Sequence, residues 1–253
     1  MSRRGSRPSF RDEAFVVRTH KLGEADLVIV LLTRNHGTVR GVAKGVRKPN
    51  SRFGSRLDRF CRVDVQLYPG RDLASITDAA TVATYAPQIV ADVDRYYAAT
   101  AALEVAQVTA GEDGGEIFDL LDAALADIAG VRPAAHPLPP RTLVDRFVLH
   151  ALTVAGWAPS FVDCAQCGKR GPHRAFHPLA GGAVCTVCRP PGSLTPPPAA
   201  VRALWWLAHG RDEELSRLAE SGDGADILGT AHDLLVAHVR QQVERPFSAY
   251  AAV

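Results

Sequence analysis

Four of the five cysteines in this 253-residue chain lie within one window of 25 residues. They form two Cys-x₂-Cys pairs, Cys164 with Cys167 and Cys185 with Cys188, and 17 residues separate the pairs. This spacing is typical of a structural zinc site, because each short turn presents two thiolates to one tetrahedral ion. Four thiolates leave no position for water, so the pattern predicts one Zn²⁺ that folds the cysteine segment (residues 161–189) and performs no chemistry.

Other interpretations of these residues remain open at the level of sequence. The four thiols could be unligated or joined as disulfides, although disulfides are rare in the cytosol, where we expect this chain. His173 and His177 lie between the pairs, and either could replace one cysteine as a ligand. The fifth cysteine, Cys61, falls on a strand-like stretch and is predicted to be a small buried apolar residue.

The first third of the chain predicts a small β-barrel. Short apolar or alternating stretches are separated by turn signals such as Asn35-His36-Gly37 and Pro69-Gly70. Five strands in about 75 residues favour the OB-fold. The predicted strands are Asp12–Thr19, Ala25–Thr33, Thr38–Val46, Leu57–Tyr68 and Leu73–Tyr85.

After Pro87 the apolar residues recur at three- and four-residue steps, which predicts α-helices. The predicted helices are Ile89–Ala110, Glu116–Ala129, Arg141–Gly156, Ala199–His209, Asp212–Glu220 and Ala225–Val243. The expected fold class is therefore α+β. An OB-fold domain spans residues 1–86, and an α-helical domain with the embedded cysteine segment spans 87–253.

The charge is distributed unevenly along the chain. Residues 1–59 hold 14 Lys and Arg against 5 Asp and Glu, whereas residues 60–253 hold 15 against 22. A basic segment on a predicted OB-fold indicates nucleic acid as the partner, with Phe53 as the candidate for stacking on a base. The alternative is a solvated basic face without a partner. The predicted DNA-binding residues are Arg34, Arg40, Lys44, Arg47, Lys48, Arg52, Phe53 and Arg56.

The sequence lacks the motifs of common nucleotide-binding and zinc-dependent enzymes and the apolar segments of secreted and membrane proteins. There is no phosphate-binding G-x₄-G-K-[ST], no G-x-G-x-x-G and no H-E-x-x-H, so we expect a protein that is not an enzyme. Met1–Pro8 is basic and predicted to be a flexible arm, and no apolar core of a signal peptide follows it. No apolar run is long enough for a membrane span, so we expect a cytoplasmic protein without a membrane partner.

The assembled motifs resemble those of the bacterial DNA repair family RecO. The resemblance rests on Glu13–Arg18, on Leu22–Asp26 and on Val42–Lys48 with the following Ser51 and Arg52. The two cysteine pairs with Gly181-Gly182 between them are similar to the zinc-bearing branch of that family. The helices match the family only in their pattern.

This resemblance implies a mediator of DNA repair and homologous recombination. It implies an OB-fold that binds single- and double-stranded DNA, and annealing of complementary strands. It also implies three protein partners: RecR, the C-terminal tail of single-stranded DNA-binding protein, and indirectly RecA, the recombinase that is loaded onto DNA. The expected location is cytoplasmic and nucleoid-associated. Two rival hypotheses remain, a protein-interaction scaffold whose basic face docks an acidic partner tail, and a zinc-dependent nucleic-acid enzyme with an open metal position.

Overall fold

The computed structural model describes residues 8–112, 114–243 and 247–253. Within them the chain forms two compact units. The first comprises the chain up to Val93 together with Ala106–Val131, and the second comprises Asp94–Val105 together with Arg132–Val253. The predicted flexible arm at Met1–Pro8 lies outside the described residues, except for Pro8.

The first unit is built on five strands that close into a barrel, as the sequence predicts. The strands are β1 (Phe10–Leu22), β2 (Asp26–Thr33), β3 (Thr38–Ala43), β4 (Cys61–Tyr68) and β5 (Ala74–Thr84). Their order around the barrel is β1-β2-β3-β5-β4, with β1 and β4 closing it. Only the β3–β5 pair is parallel, and it joins Gly41 and Val42 to Ala74 and Ser75. This is the OB-fold arrangement.

Strands β3 and β4 are shorter than predicted by three and four residues, and β2 and β5 by one and two. β3 ends at Ala43 because the chain turns at Gly45, which has a φ of 67° and whose N–H donates to Asp26 Oδ1 at 2.7 Å. β4 starts only at Cys61, because the residues from Gly54 to Leu57 form a 3₁₀ turn. Cys61 is buried in the barrel core, which confirms the prediction for it.

The helices follow the predicted pattern closely. They are α1 (Ala86–Val90), α2 (Val93–Thr109), α3 (Gly115–Ala129), α4 (Pro140–Val154), α5 (Pro198–Ala208), α6 (Asp212–Ala219) and α7 (Gly224–Gln242). The predicted first helix is divided in two at residues 91–92. Proline in the first turn marks the start of α1, α4 and α5, where its missing N–H costs no hydrogen bond.

Helix α3 packs on the barrel within the first unit. The ring of Phe118 on α3 lies 4.8 Å from the ring of Phe15 on β1, measured between centroids. The β2–β3 turn approaches the chain before α3 so closely that a Cβ on Gly37 would lie 2.6 Å from the Gly111 carbonyl oxygen. With a φ of 57° as well, this position requires glycine.

The second unit contains a buried polar cluster centred on Asp145 of α4. Asp145 accepts hydrogen bonds from His232 Nδ1 at 2.8 Å and from the Tyr250 hydroxyl at 2.5 Å. Burial and the adjacent carboxylate raise the pKa of Tyr250 well above its ordinary value, so this hydroxyl stays protonated and donates. The cluster joins α4, α7 and the C-terminal 3₁₀ turn.

Among the described residues, no helix combines the length and the apolar character that crossing a membrane would require.

Candidate functional site

The four predicted cysteines come together in the second unit. The Sγ atoms of Cys164, Cys167, Cys185 and Cys188 all lie within 4.8 Å of one another, and those of Cys167 and Cys185 are 3.9 Å apart. A tetrahedral ion with metal–sulfur bonds of about 2.3 Å requires its sulfurs to be about 3.8 Å apart. The donor set and its spacing therefore fit a single tetrahedral metal ion.

A small hairpin positions the cysteine pairs. Strands β6 (Ala175–His177) and β7 (Gly182–Val184) pair antiparallel, and β7 leads directly into Cys185. Ser160 bridges to Gly182, where an added Cβ would lie 2.3 Å from the Ser160 carbonyl oxygen. Gly182 also has a φ of 125°, so only glycine fits at this crossing of two chain segments.

Backbone N–H groups point at the sulfurs and favour their charged form. The N–H of Cys185 donates to Cys164 Sγ, and the N–H of Cys188 donates to Cys185 Sγ, both at 3.4 Å. The first of these bonds is the main cause that lowers the pKa of Cys164 to about 6. Hydrogen bonds with Cys167 and Cys185 raise the pKa of Cys188 to about 12, because close thiols share their protons. A cation at the centre would relieve this crowding of negative charge.

The two histidines of the segment have other partners. His173 Nε2 bonds the Lys169 carbonyl oxygen at 2.8 Å, and His177 Nδ1 accepts from the Ala180 N–H at 3.1 Å. Neither belongs to the metal-binding cluster found among the described residues. The cysteines alone complete a tetrahedral set.

The predicted DNA-binding residues concentrate in the basic loop (residues 44–56) that follows β3. Successive backbone hydrogen bonds fold this loop into tight turns, including Lys48 N–H to Gly45 at 3.1 Å and Ser51 N–H to Lys48 at 3.0 Å. Phe53 and Leu57 are buried in the barrel core at the far end of the loop. The basic side chains of the loop remain exposed on the surface.

Six of the predicted cations remain available to an anionic partner. All six are exposed, and none forms an ion pair with any residue that the structure describes. Arg56 donates to the Arg52 carbonyl oxygen at 2.6 Å, which extends the turn but does not neutralise its charge. The six are Arg40, Lys44, Arg47, Lys48, Arg52 and Arg56.

Two family descriptions match the chain. "Recombination protein O N terminal" matches residues 7–85, and "Recombination protein O C terminal" matches residues 90–251. The chain belongs to the recombination protein O family. Membership assigns it a general role in DNA repair and recombination as a mediator, and the barrel of the first unit is the OB-fold of this family.

Arg34, one of the predicted DNA-binding residues, lies in a different environment from the other six cations. Arg34 donates to Asp119 Oδ1 at 2.7 Å and lies 3.6 Å from a Glu13 carboxylate oxygen. Its guanidinium also lies over the Phe118 ring, 4.4 Å from the centroid. The charge of Arg34 is thus already balanced by carboxylates of β1 and α3.

Phe53 requires a correction. The sequence suggests its ring as a platform for a base, but Phe53 is 1% exposed and belongs to the barrel core. A buried ring has no face on which a base can stack. Phe53 instead anchors the basic loop to the barrel. The guanidinium carbon of Arg52 lies over the Phe53 ring, 4.8 Å from its centroid.

Sequence reasoning missed the network that holds α3 to the barrel. Arg62 of β4 donates to both Glu13 and Asp122, and the Tyr85 hydroxyl donates to Asp122 at 2.8 Å. Arg62 follows the basic segment of residues 1–59 closely, but carboxylates of the same unit balance its charge. The available signal was the acidic face of the predicted helix at Asp119 and Asp122, which lies far away in sequence.

Proposed function

We propose that the chain binds single- and double-stranded DNA through the basic loop and β3, and that it anneals complementary strands. The observation that carries the proposal is a set of six exposed cations on one strand and its following loop, which form no ion pair with residues 8–112, 114–243 or 247–253. A DNA partner needs several positive groups along one surface, because phosphates are regularly spaced. Family membership supports the choice of DNA over another polyanion.

The proposed mechanism of annealing is electrostatic. Cations that neutralise phosphates on two strands release counterions and reduce the repulsion between the strands, so complementary bases can meet. If all six cations contact phosphates, a plot of the logarithm of the binding constant for single strands against the logarithm of the salt concentration has a slope of about −4. The binding is expected to be insensitive to sequence, because these contacts reach only the backbone.

We assign the metal at the four cysteines as one structural Zn²⁺. Four thiolates in a tetrahedral arrangement are the donor set that zinc prefers, and the ion would supply structure by joining the two Cys-x₂-Cys turns. Cys164, Cys167, Cys185 and Cys188 would hold it. Because all four positions are filled by sulfur, we propose no catalytic water at this centre and a protein that is not an enzyme.

The remaining parts of the proposal rest on the family. We infer RecR as a direct partner, RecA as the recombinase whose loading is assisted, and the C-terminal tail of single-stranded DNA-binding protein as a ligand of the helical domain. We place the OB-fold domain at residues 1–86 and the helical domain at 87–253. A cytoplasmic, nucleoid-associated location follows from a DNA substrate.

The test is the binding of labelled single and double strands by fluorescence anisotropy over a salt series. The wild type is compared with a variant that carries Arg40→Gln, Lys44→Gln, Arg47→Gln and Lys48→Gln. We expect weaker binding to all sequences alike and a salt slope smaller by about 3.

A control variant removes four exposed cations outside the barrel, by Arg202→Gln, Arg211→Gln, Arg217→Gln and Arg240→Gln. If the variant with Arg40, Lys44, Arg47 and Lys48 changed to Gln (the barrel variant) binds DNA as the wild type does, the proposed DNA-binding surface is wrong. If the pure wild-type protein does not bind DNA, the scaffold hypothesis is favoured.

A further inference from the structure

The cysteine segment carries a second concentration of positive charge. Residues 161–189 contain four Lys and Arg and a single carboxylate, Asp163. The chain on either side is acidic, since residues 87–160 and 190–253 together contain nine Lys and Arg against eighteen Asp and Glu. The segment is therefore a basic surface within an otherwise acidic part of the chain.

The fold gathers these cations around one centre. Lys169, Arg170 and Arg174 lie on the loop between Cys167 and β6, which is tied back by the Cys164 N–H bond to the Lys169 carbonyl oxygen at 2.9 Å. Arg189 is far from them in sequence but follows Cys188 directly. Because the four sulfurs lie within 4.8 Å of one another, the metal centre brings Arg189 near that loop.

These cations are open to an external anion. All four are exposed, and no ion pair involving them exists within the described part of the chain. The Asp163 carboxylate accepts the Gly171 N–H at 3.2 Å, so it is used by the backbone of the loop. Arg189 has a long contact to the Thr195 hydroxyl, 3.3 Å, which leaves its charge unneutralised.

We propose that Lys169, Arg170, Arg174 and Arg189 form a second phosphate-binding surface for DNA, made of residues that the barrel does not supply. The proposal rests on the proposed function, because it takes DNA as the partner. These positive groups are spread over the loop between Cys167 and β6 and the residue after Cys188. Such a spread suits an extended polyanion better than a single small anion. Two phosphate-binding surfaces on one chain would allow it to hold two strands, which is what annealing requires.

A purely structural role for the same cations makes a different prediction. Zn²⁺ with four thiolates has a net charge of −2, and nearby cations can offset this charge. In that case their removal would weaken zinc binding. Backbone N–H groups of Cys185 and Cys188 already donate to the sulfurs, so we expect zinc to remain when the side chains are neutralised.

The experiment uses the full chain with Lys169→Gln, Arg170→Gln and Arg174→Gln. Glutamine removes the charge of these exposed side chains and keeps them polar, and the hydrogen bonds of Lys169 within the loop use its carbonyl oxygen. We expect the salt slope of single-strand binding to fall by about 2, with zinc content and thermal midpoint as in the wild type. The matched control neutralises three exposed cations outside the segment, by Arg202→Gln, Arg211→Gln and Arg240→Gln, and should leave the slope unchanged.

Three results would overturn the proposal. The triple variant could bind DNA with the wild-type slope, the control could lower the slope as much as the triple variant does, or the triple variant could lose its zinc. The first and second exclude a local contact, and the third assigns the cations to the metal. Failure of the proposed function itself looks different, because the wild type would then show no salt-dependent DNA binding at all.

Discussion

The barrel and the cysteine segment obtain their structure from different sources. The barrel encloses fourteen buried core residues, and its sheet is closed on itself. The core of the cysteine segment has four buried residues, and two of them are Cys164 and Cys185 of the candidate metal cluster. Burial of apolar surface therefore stabilises the barrel, whereas we expect the segment to depend on a bound metal. The comparison is between a region with its own apolar core and a region that a metal ion would stabilise.

The largest expected effect is the loss of the metal from Cys164→Ser. We expect zinc content to fall from one per chain to none, because a structural site with three thiolates has a much lower affinity. Metal analysis and circular dichroism measure this. The matched control is Cys61→Ala, a buried cysteine outside the cluster, which should keep its zinc. Full zinc in Cys164→Ser would contradict the metal dependence of the segment.

The next largest effect is expected from Phe53→Ala in the barrel core. Removing a fully buried phenylalanine should lower the free energy of unfolding by about 3–5 kcal/mol. Chemical denaturation measures this. The decrease should be the same with and without zinc if the two regions are stabilised independently. A decrease below about 1 kcal/mol would mean that Phe53 is not an anchor of the barrel.

A smaller effect is expected from Arg62→Ala, which tests whether α3 is held to the barrel by charge. The substitution leaves Asp122 without its cation in a partly buried site and leaves Glu13 with only the 3.6 Å contact to Arg34, so we expect a loss of about 2 kcal/mol. The control Arg11→Ala removes an exposed pair with Asp64, which solvent screens, and should cost much less. Equal costs for the two variants would refute the special role of the α3 network.

The smallest effect concerns His238, which lies under the cysteine segment. Its Nε2 donates to the Trp157 carbonyl oxygen at 2.8 Å, and burial lowers the pKa of His238 below its ordinary 6.5. Below pH 6.5 the unfolded chain binds this proton more readily than the folded chain, so stability falls as the pH decreases. In His238→Gln, the slope of stability against pH should be smaller in this range. An unchanged slope would show that His238 does not contribute.

Much of this architecture is visible in the sequence, because it depends on local patterns. Alternation and turn signals predict the five strands, and the Cys-x₂-Cys pairs predict the cluster, since spacing along the chain fixes what each turn can present. Phe53 and Arg34 show what local sequence patterns do not predict. Their sequence neighbours are basic, but burial of Phe53 and the pairing of Arg34 with Asp119 depend on contacts that only the fold creates.

The most direct test of the account is the rate of annealing of two complementary strands by the wild type and by the barrel variant with Arg40, Lys44, Arg47 and Lys48 changed to Gln. The account predicts that the wild type accelerates annealing at low salt, that this acceleration falls steeply as salt increases, and that the variant loses most of it while retaining zinc. Annealing by the variant at the wild-type rate, with the same dependence on salt, would contradict it.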